Sequence, residues 1–318
     1  MIPRHMDYFI SCDWGTSNFR LRLVKTSSLE ILHEHRTDHG VRAVFQQYSN
    51  QNNLSQVDFF AEYLAKQVRT LPHPHQQQLV VLSGMASSNI GLMELEYAEM
   101  PFDLSGKGLH WKRTTLENGL DILLVSGVKC QTGMMRGEEV QAIGMESCLQ
   151  DHHQGILILP GTHSKHITFE KGAFTDLKTF MTGELFDIIS SKSILANSVS
   201  ESPWNGERER SFVEGLLTGA DGKMTAGLFG IRAKHVIENA SRENNYYLLS
   251  GMLIGDELLG LKTSNIPIFI AATGRLALLY QLAVKTLLGE ERLISLGDSN
   301  LEKALLIGQR KILMLHGE

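Results

Sequence analysis

Apolar and polar positions alternate with a period of two through FRLRLV, where Phe19, Leu21 and Leu23 share one face and Arg20, Arg22 and Val24 the other. That alternation predicts a β-strand. Tyr8–Cys12 before it and Leu29–His33 after it predict two more, so the chain opens as a three-stranded meander. A polar stretch, QQYSNQNN, then leads to a run in which Val57, Phe60, Leu64, Val68 and Leu71 recur at helical spacing. The apolar runs LVVLSG (79–84) and DILLVSG (121–127) predict buried strands separated by a long insertion, and RGEEVQAIGMESCL (136–149) predicts a helix.

After the hydrophilic break DHHQ (151–154) the pattern starts again, with strands at 156–159, 165–169 and 173–180 around a Lys171–Gly172 turn. Helices are expected at Thr182–Leu195 and Phe212–Leu228. A strand at Tyr246–Leu249 and a short helix should follow, then a strand at 266–272 and the helix RLALLYQLAVKTLLG. A last strand at Leu293–Leu296 precedes the closing helix LEKALLIGQRKILML. No residue-level repeat is visible, but the architecture repeats: each half opens with a meander and continues with alternating helices and strands, an α/β pattern with mixed sheets. Two domains are expected, 1–150 and 151–318, with a ligand cleft between them.

The 318 residues suit two domains of ordinary size, and 42% hydrophobic with 20% charged residues excludes a disordered chain. A net charge of −5 argues against non-specific binding to nucleic acid or to an anionic membrane. Cys12, Cys130 and Cys148 stand far apart with no C-x-x-C, which fits a reducing cytoplasm and no structural zinc. The start MIPRHMDYFISCDWG lacks a signal-peptide core, Met1–His5 carries no pattern, and Met6 is an alternative start. A small polar metabolite is therefore the expected partner.

Two turns carry candidate chemistry. DWGTSN (13–18) and GTHS (161–164) each follow the first strand of a meander, where backbone N–H groups and hydroxyls at Gly15, Thr16, Ser17 and at Gly161, Thr162, His163, Ser164 could hold phosphate oxygens. Asp13, at the end of an apolar strand, needs a partner for its carboxylate, and hydrated Mg²⁺ beside a polyphosphate is suitable. Only one of Glu138 and Glu139 can point into a cleft from the start of a helix. MTGELF reads first as a helix start with Thr182 as cap and Glu184 in the first turn, and Glu184 is also a substrate-binding candidate. GDELLGLKT misplaces the lysine of a P-loop, and no dinucleotide fingerprint follows a strand.

DWGTSNFRLRL, MMRGEEVQAIG, LPGTHSKHITFEKG, FMTGELFDIIS and YLLSGMLIGDEL together resemble the 2-dehydro-3-deoxygalactonokinase family, sugar-acid kinases of the actin-like ATPase superfamily. The resemblance implies two ribonuclease-H-like lobes of βββαβαβα plan, the first with the sugar-acid site and the second with the nucleotide site. It implies ATP and Mg²⁺, with Asp13 on the metal, Glu138 or its neighbour Glu139 as catalytic base, and a strand, glycine turn and helix for adenosine, which IFIAATGRLALLYQL with its turn at Gly274 matches better than the alternative YLLSGMLIG. A keto acid's carboxylate calls for a cation, for which Arg136, Arg20 and Lys165 are the candidates, and Ser87 completes the substrate side. Asn89, Leu92 and His166 depart from the family's usual residues, so a relative of 2-dehydro-3-deoxygalactonate would be the substrate if those positions touch it. The expected reaction phosphorylates the terminal hydroxyl in the cytoplasm, and a homodimer is compatible with it. A phosphoanhydride hydrolase and a non-catalytic ATP-binding regulator are the alternatives.

Overall fold

The computed structural model describes residues 6–51 and 53–316, and the chain packs into two compact units. The first comprises the residues up to His153, the segment Glu170–Leu177 and the C-terminal helix from Ser299 onward; the second comprises Gln154–Phe169 and Lys178–Asp298. The units thus differ from the expected halves 1–150 and 151–318, because two segments distant in sequence pack with the N-terminal part.

In the first unit the meander forms as β1 (Tyr8–Trp14), β2 (Phe19–Lys25) and β3 (Ile31–Thr37), followed by α1 (Val41–Ser49), α2 (Gln56–Val68) and β4 (Val80–Gly84). The insertion supplies β5 (Ala98–Glu99), β6 (Phe102–Asp103) and β7 (Trp111–Thr115), then come β8 (Asp121–Val125), β9 (Val128–Lys129) and β10 (Met134–Met135). The main sheet has order β3-β2-β1-β4-β8-β7, with β4 and β8 running parallel to β1, which is the ribonuclease-H-like plan. Leu21, Leu23, Phe60, Leu64 and Leu82 meet in its core around the buried Trp14. The predicted helix over 136–149 is broken into α3 (Glu138–Gly144) and α4 (Glu146–Leu149), and α1 lies where no helix was expected.

The second unit begins with β11 (Gln154–Leu159) and β12 (Ser164–Glu170); after β13 (Ala173–Phe180), most of which falls in the first unit's segment Glu170–Leu177, it continues with α5 (Thr182–Lys192), α6 (Gly206–Ala220) and α7 (Met224–Glu238). The helix expected over 212–228 is split by a turn at Gly222. The strand expected at Tyr246–Leu249 is instead part of one helix, α8 (Arg242–Leu258). Next come β14 (Ile268–Ile270), α9 (Gly274–Leu288) and β15 (Leu293–Ser295), and α10 (Asp298–His316) closes the chain. The strands lie in the order β15-β14-β11-β12-β13, with β14 parallel to both β11 and β15.

Glycines set how closely α8 packs on α6. Gly215 and Gly219 of α6 and Gly251 and Gly255 of α8, each pair four residues apart, let the two backbones touch: a Cβ at any of them would fall 2.0–2.2 Å from a carbonyl oxygen of the facing helix. The same device joins α3 to α10, where a Cβ on Gly144 would meet Ala304 O at 1.8 Å and one on Gly308 would meet Val140 O at 1.9 Å. Alanine's better helix propensity, roughly 1 kcal/mol, cannot offset such overlap. Gly255→Ala should therefore lower the urea midpoint, whereas Gly230→Ala in α7, where an added Cβ meets nothing within 4 Å, should raise it. Equal shifts in the two variants would contradict backbone contact between α6 and α8.

Candidate active site

Strands β1 and β4 are parallel and end together, with Asp13 beside Ser83 and Trp14 beside Gly84. Ligands in α/β sheets collect outside such carboxyl ends. Gly84 holds φ at 85°, and a Cβ there would lie 2.8 Å from Trp14 O. Gly137, at φ 111°, comes so close that its own Cβ would sit 3.2 Å from Gly84 Cα. The first turn of α3 is thereby set directly on the strand ends. From α10, Gln309 reaches in to donate to Cys12 O at 3.2 Å and to Ser83 Oγ at 2.9 Å, tying β1 to β4 from below.

This arrangement brings together Asp13, Arg20, Arg136, Glu138, Glu139 and Ser87. Asp13 is half-buried and accepts no hydrogen bond among the described residues; burial raises its pKa, Arg20 and Arg22 oppose the rise, and Glu138 adds to it. Asp13, Arg20, Arg22 and Arg36 line a cavity of about 660 Å³. Glu138 Oε2 accepts the Arg136 backbone N–H at 3.0 Å, which orients a half-exposed carboxylate at the helix start. Glu139 points the other way: it is 1% exposed and takes the Gly137 N–H at 2.7–2.8 Å.

Arg136 is held before any ligand arrives. Its guanidinium lies 4.1 Å over the Tyr97 ring, Nε donates to Tyr97 OH at 3.3 Å, and Nη1 donates to Ser87 Oγ at 2.7 Å and to Ser87 O. Nη2 has no partner among the described residues. Ser87 is fully buried, so it supports the arginine rather than presenting itself to solvent. Tyr97, from the insertion, was not anticipated, since an isolated tyrosine in a loop gives no periodic signal.

The first glycine turn rests on the start of α1: Gly15 N–H donates to Asn18 O at 2.9 Å, and the carbonyls of Gly15, Thr16 and Ser17 accept from Val41, Arg42 and Gly40. The N–H groups of Thr16 and Ser17 donate to none of the described residues.

In the second unit Gly161 and Thr162 line a cavity of about 450 Å³ with Thr182, Tyr246, Arg275 and Tyr280. The N–H groups of Gly161, Thr162 and His163 donate to none of the described residues. His163 Nε2 meets Glu184 Oε2 at 2.7 Å, and the Glu184 N–H donates to Thr162 O at 3.0 Å, so both residues shape the turn. Ser164 is buried, with its hydroxyl donating to Glu257. Lys165 is 4% exposed and donates to His163 O at 3.0 Å. Thr182 is not the cap of α5, because Met181 occupies that position and the Thr182 hydroxyl donates to Glu257. Gly274, at φ 59°, forms the glycine turn between β14 and α9. Of the departing positions, His166 is 4% exposed, Leu92 lies in the core, and Asn89 is exposed with its carbonyl taken by Gln56.

Burial first, and then the neighbouring Glu138 charge, raises the Glu139 pKa from 4.5 to about 8. Between those values the folded chain keeps a proton that the unfolded chain has released, so this group's contribution to stability is lost as pH rises through the window. Glu139→Gln keeps the shape and removes the titration. Its unfolding free energy relative to the native chain should climb by a few kcal/mol from roughly pH 5 to pH 8, at about 1.4 kcal/mol per unit. Urea denaturation at both pH values checks this, and a constant difference would contradict it.

The family model for 2-keto-3-deoxy-galactonokinase matches residues 13–306. The chain is 27% identical over 260 residues to the 2-dehydro-3-deoxygalactonokinase of Escherichia coli (strain K12), covering 80% of each chain. It is 26% identical over 289 residues to a probable 2-dehydro-3-deoxygalactonokinase of Rhizobium meliloti (strain 1021), covering 88% of this chain and 89% of the relative. The crystal structure of a Sinorhizobium meliloti protein provisionally described as a 2-dehydro-3-deoxygalactonokinase superposes with a TM-score of 0.78 at 25% identity, covering 98% of both chains. With two ribonuclease-H-like sheets, a carboxylate at the strand ends and a family match over nearly its whole length, the chain belongs to the 2-keto-3-deoxy-galactonokinase family and is a sugar-acid kinase.

Proposed function

We propose that the chain transfers the γ-phosphoryl group of ATP to the terminal hydroxyl of 2-dehydro-3-deoxygalactonate, or a closely related 2-keto-3-deoxy acid, in the cytoplasm. One observation carries the reading: the half-buried carboxylate of Asp13, the oriented carboxylate of Glu138 and the preset Arg136 stand together at the ends of β1 and β4. Among the described residues no helix is long and apolar enough to cross a membrane, and no group of three metal-ligating side chains occurs. A single half-buried carboxylate without a hydrogen-bond partner fits Mg²⁺, which is commonly held by one or two carboxylates and the substrate's phosphates. Asp13 would hold it, and the ion would neutralise charge on those phosphates.

Glu138 is the base of choice. Its carboxylate is oriented by the Arg136 N–H and is half-exposed, whereas Glu139 is enclosed and protonated near neutral pH. Arg136 offers Nη2 to the carboxylate of the sugar acid, with Ser87 and Tyr97 fixing the guanidinium plane. Arg20, flanking Asp13 across the β1–β2 hairpin, is the second cation on this side. Lys165 contributes less to this reading, because its ammonium is turned inward.

The nucleotide belongs to the second unit. The free N–H groups of the turn at 161–163 suit phosphate oxygens, and the cavity beside them has apolar walls at Phe186, Leu253, Ile254 and Leu279 that suit a purine. The turn at Gly274 opens on the same cavity through Arg275 and Leu276. In the first unit, the N–H groups of Thr16 and Ser17, which donate to none of the described residues, are likewise suited to phosphate oxygens.

Glu138→Gln should lower kcat by roughly 10²–10⁴ and leave ATP affinity nearly intact. Native turnover in that variant would remove Glu138 from the role. Arg136→Lys should raise KM for the sugar acid far more than KM for ATP, since an ammonium cannot reproduce the fork held by Ser87 and Tyr97; equal changes in both would reject a carboxylate contact. For Asp13→Asn the expected result is a weakened Mg²⁺ dependence together with lower turnover, and an unchanged Mg²⁺ titration in a folded variant would contradict the metal assignment.

A further inference from the structure

Glu257 stands near the end of α8 and is 3% exposed. Its Oε1 accepts Ser164 Oγ at 2.7 Å and His166 Nε2 at 2.8 Å; its Oε2 accepts Tyr280 OH at 2.7 Å and Thr182 Oγ1. Four side-chain donors from β12, α5 and α9 therefore converge on one buried carboxylate. A carboxylate removed from water is costly unless its lone pairs are satisfied, and these are. Burial pushes its pKa up, but His166, Thr182 and Ser164 outweigh that and hold it below the ordinary value. The His166 ring nitrogen facing Glu257 carries the proton, because a carboxylate can only accept.

The donors are placed around one loop. Ser164 follows the turn Gly161–His163 directly, and Thr182 opens the helix packed over it. A Cβ on Gly183 would fall 2.5 Å from Gly161 O, and the Glu184 N–H binds Thr162 O at 3.0 Å. Thr182 and Tyr280 also line the 450 Å³ cavity. Glu257 itself is outside that lining, so it acts through its neighbours.

We propose that Glu257 is the positioning residue of the phosphate turn: by binding Ser164 on one side and Thr182 on the other, it fixes the N–H groups of residues 161–163 and sets affinity for the nucleotide's phosphates without touching them. The proposal rests on reading that turn as a phosphate site. A carboxylate is required, because Gln replaces one of the two accepting oxygens with an NH2 donor and so cannot accept from all four groups as they stand.

The test is calorimetric titration of the full chain with ADP and, separately, with adenosine, combined with steady-state kinetics and thermal melting. Glu257→Gln and Thr182→Val should each weaken ADP about tenfold, while adenosine changes by less than about threefold and KM for the sugar acid stays constant. Thr182→Ser, which retains the hydroxyl, should restore ADP affinity. Gly161→Glu, at a position where a side chain meets nothing within 4 Å, should abolish ADP binding by repelling the phosphates and spare adenosine.

If Gly161→Glu binds ADP normally, the turn is not a phosphate site and both readings fall. If it loses ADP while folded Glu257→Gln and Thr182→Val keep native affinity, only the role of Glu257 is overturned. Equal losses for ADP and adenosine would mean that Glu257 merely stabilises the unit, which also rejects the proposal. Should Glu257→Gln fail to fold, Thr182→Val and Tyr280→Phe, each deleting one of the four bonds, decide the matter by the same comparison.

Discussion

The contact between Gly137 and Gly84 is the constraint on which the candidate site of the first unit depends. A helix can begin directly on the ends of β1 and β4 only because neither residue carries a Cβ at the point of approach and both occupy the positive-φ region that glycine favours. The placement of the candidate residues in the first unit follows from it. Glu138 begins the helix, Arg136 precedes the contact, and Asp13 is the last residue but one of the strand beside it. Backbone-to-backbone contact also makes this geometry less adjustable than one built on side-chain rotamers, which suits a reaction governed by positioning. The contacts of α3 with α10 at Gly144 and Gly308 hold the same helix from the other side.

Two buried glutamates show how environment decides charge. Glu139 and Glu257 are 1% and 3% exposed, yet their pKa values move in opposite directions. Glu139 receives the Gly137 N–H and faces the like charge of Glu138, so desolvation prevails and the acid form is favoured. Glu257 receives four side-chain donors, and the anion is retained. The first becomes a neutral buried support beside Glu138, while the second keeps its charge among four donors from β12, α5 and α9. Adjacent glutamates at a helix start look equivalent in a sequence; roughly 100° of helix rotation separates their chemistry.

Both three-stranded meanders and the strand, glycine turn and helix around Gly274 were legible because local rules determine them: period-two alternation, turn residues and buried runs. The motif residues at 13–17 and 161–164 were legible for the same reason. Helix α8 was not, since YYLLSGML is an apolar run with strand-favouring aromatics, and only its glycines at 251 and 255, four apart, mark a helix packed on another helix. Long-range packing hid the rest. The return of residues 299–316 to the first unit, the support of Arg136 by Tyr97, and the four partners of Glu257 join positions tens or hundreds of residues apart. His166 shows the limit of motif comparison: a departure that pointed toward the substrate proves to be a buried ligand of Glu257.

The central claim is that the chain phosphorylates a sugar acid, and the fate of the phosphoryl group tests it most directly. Phosphorus NMR of the full chain incubated with ATP, Mg²⁺ and 2-dehydro-3-deoxygalactonate should show one phosphomonoester on the terminal CH₂–O carbon for each ADP formed, with negligible ADP when the acid is omitted. Formation of ADP and inorganic phosphate at the same rate with and without the acid would contradict the account and make the protein a hydrolase.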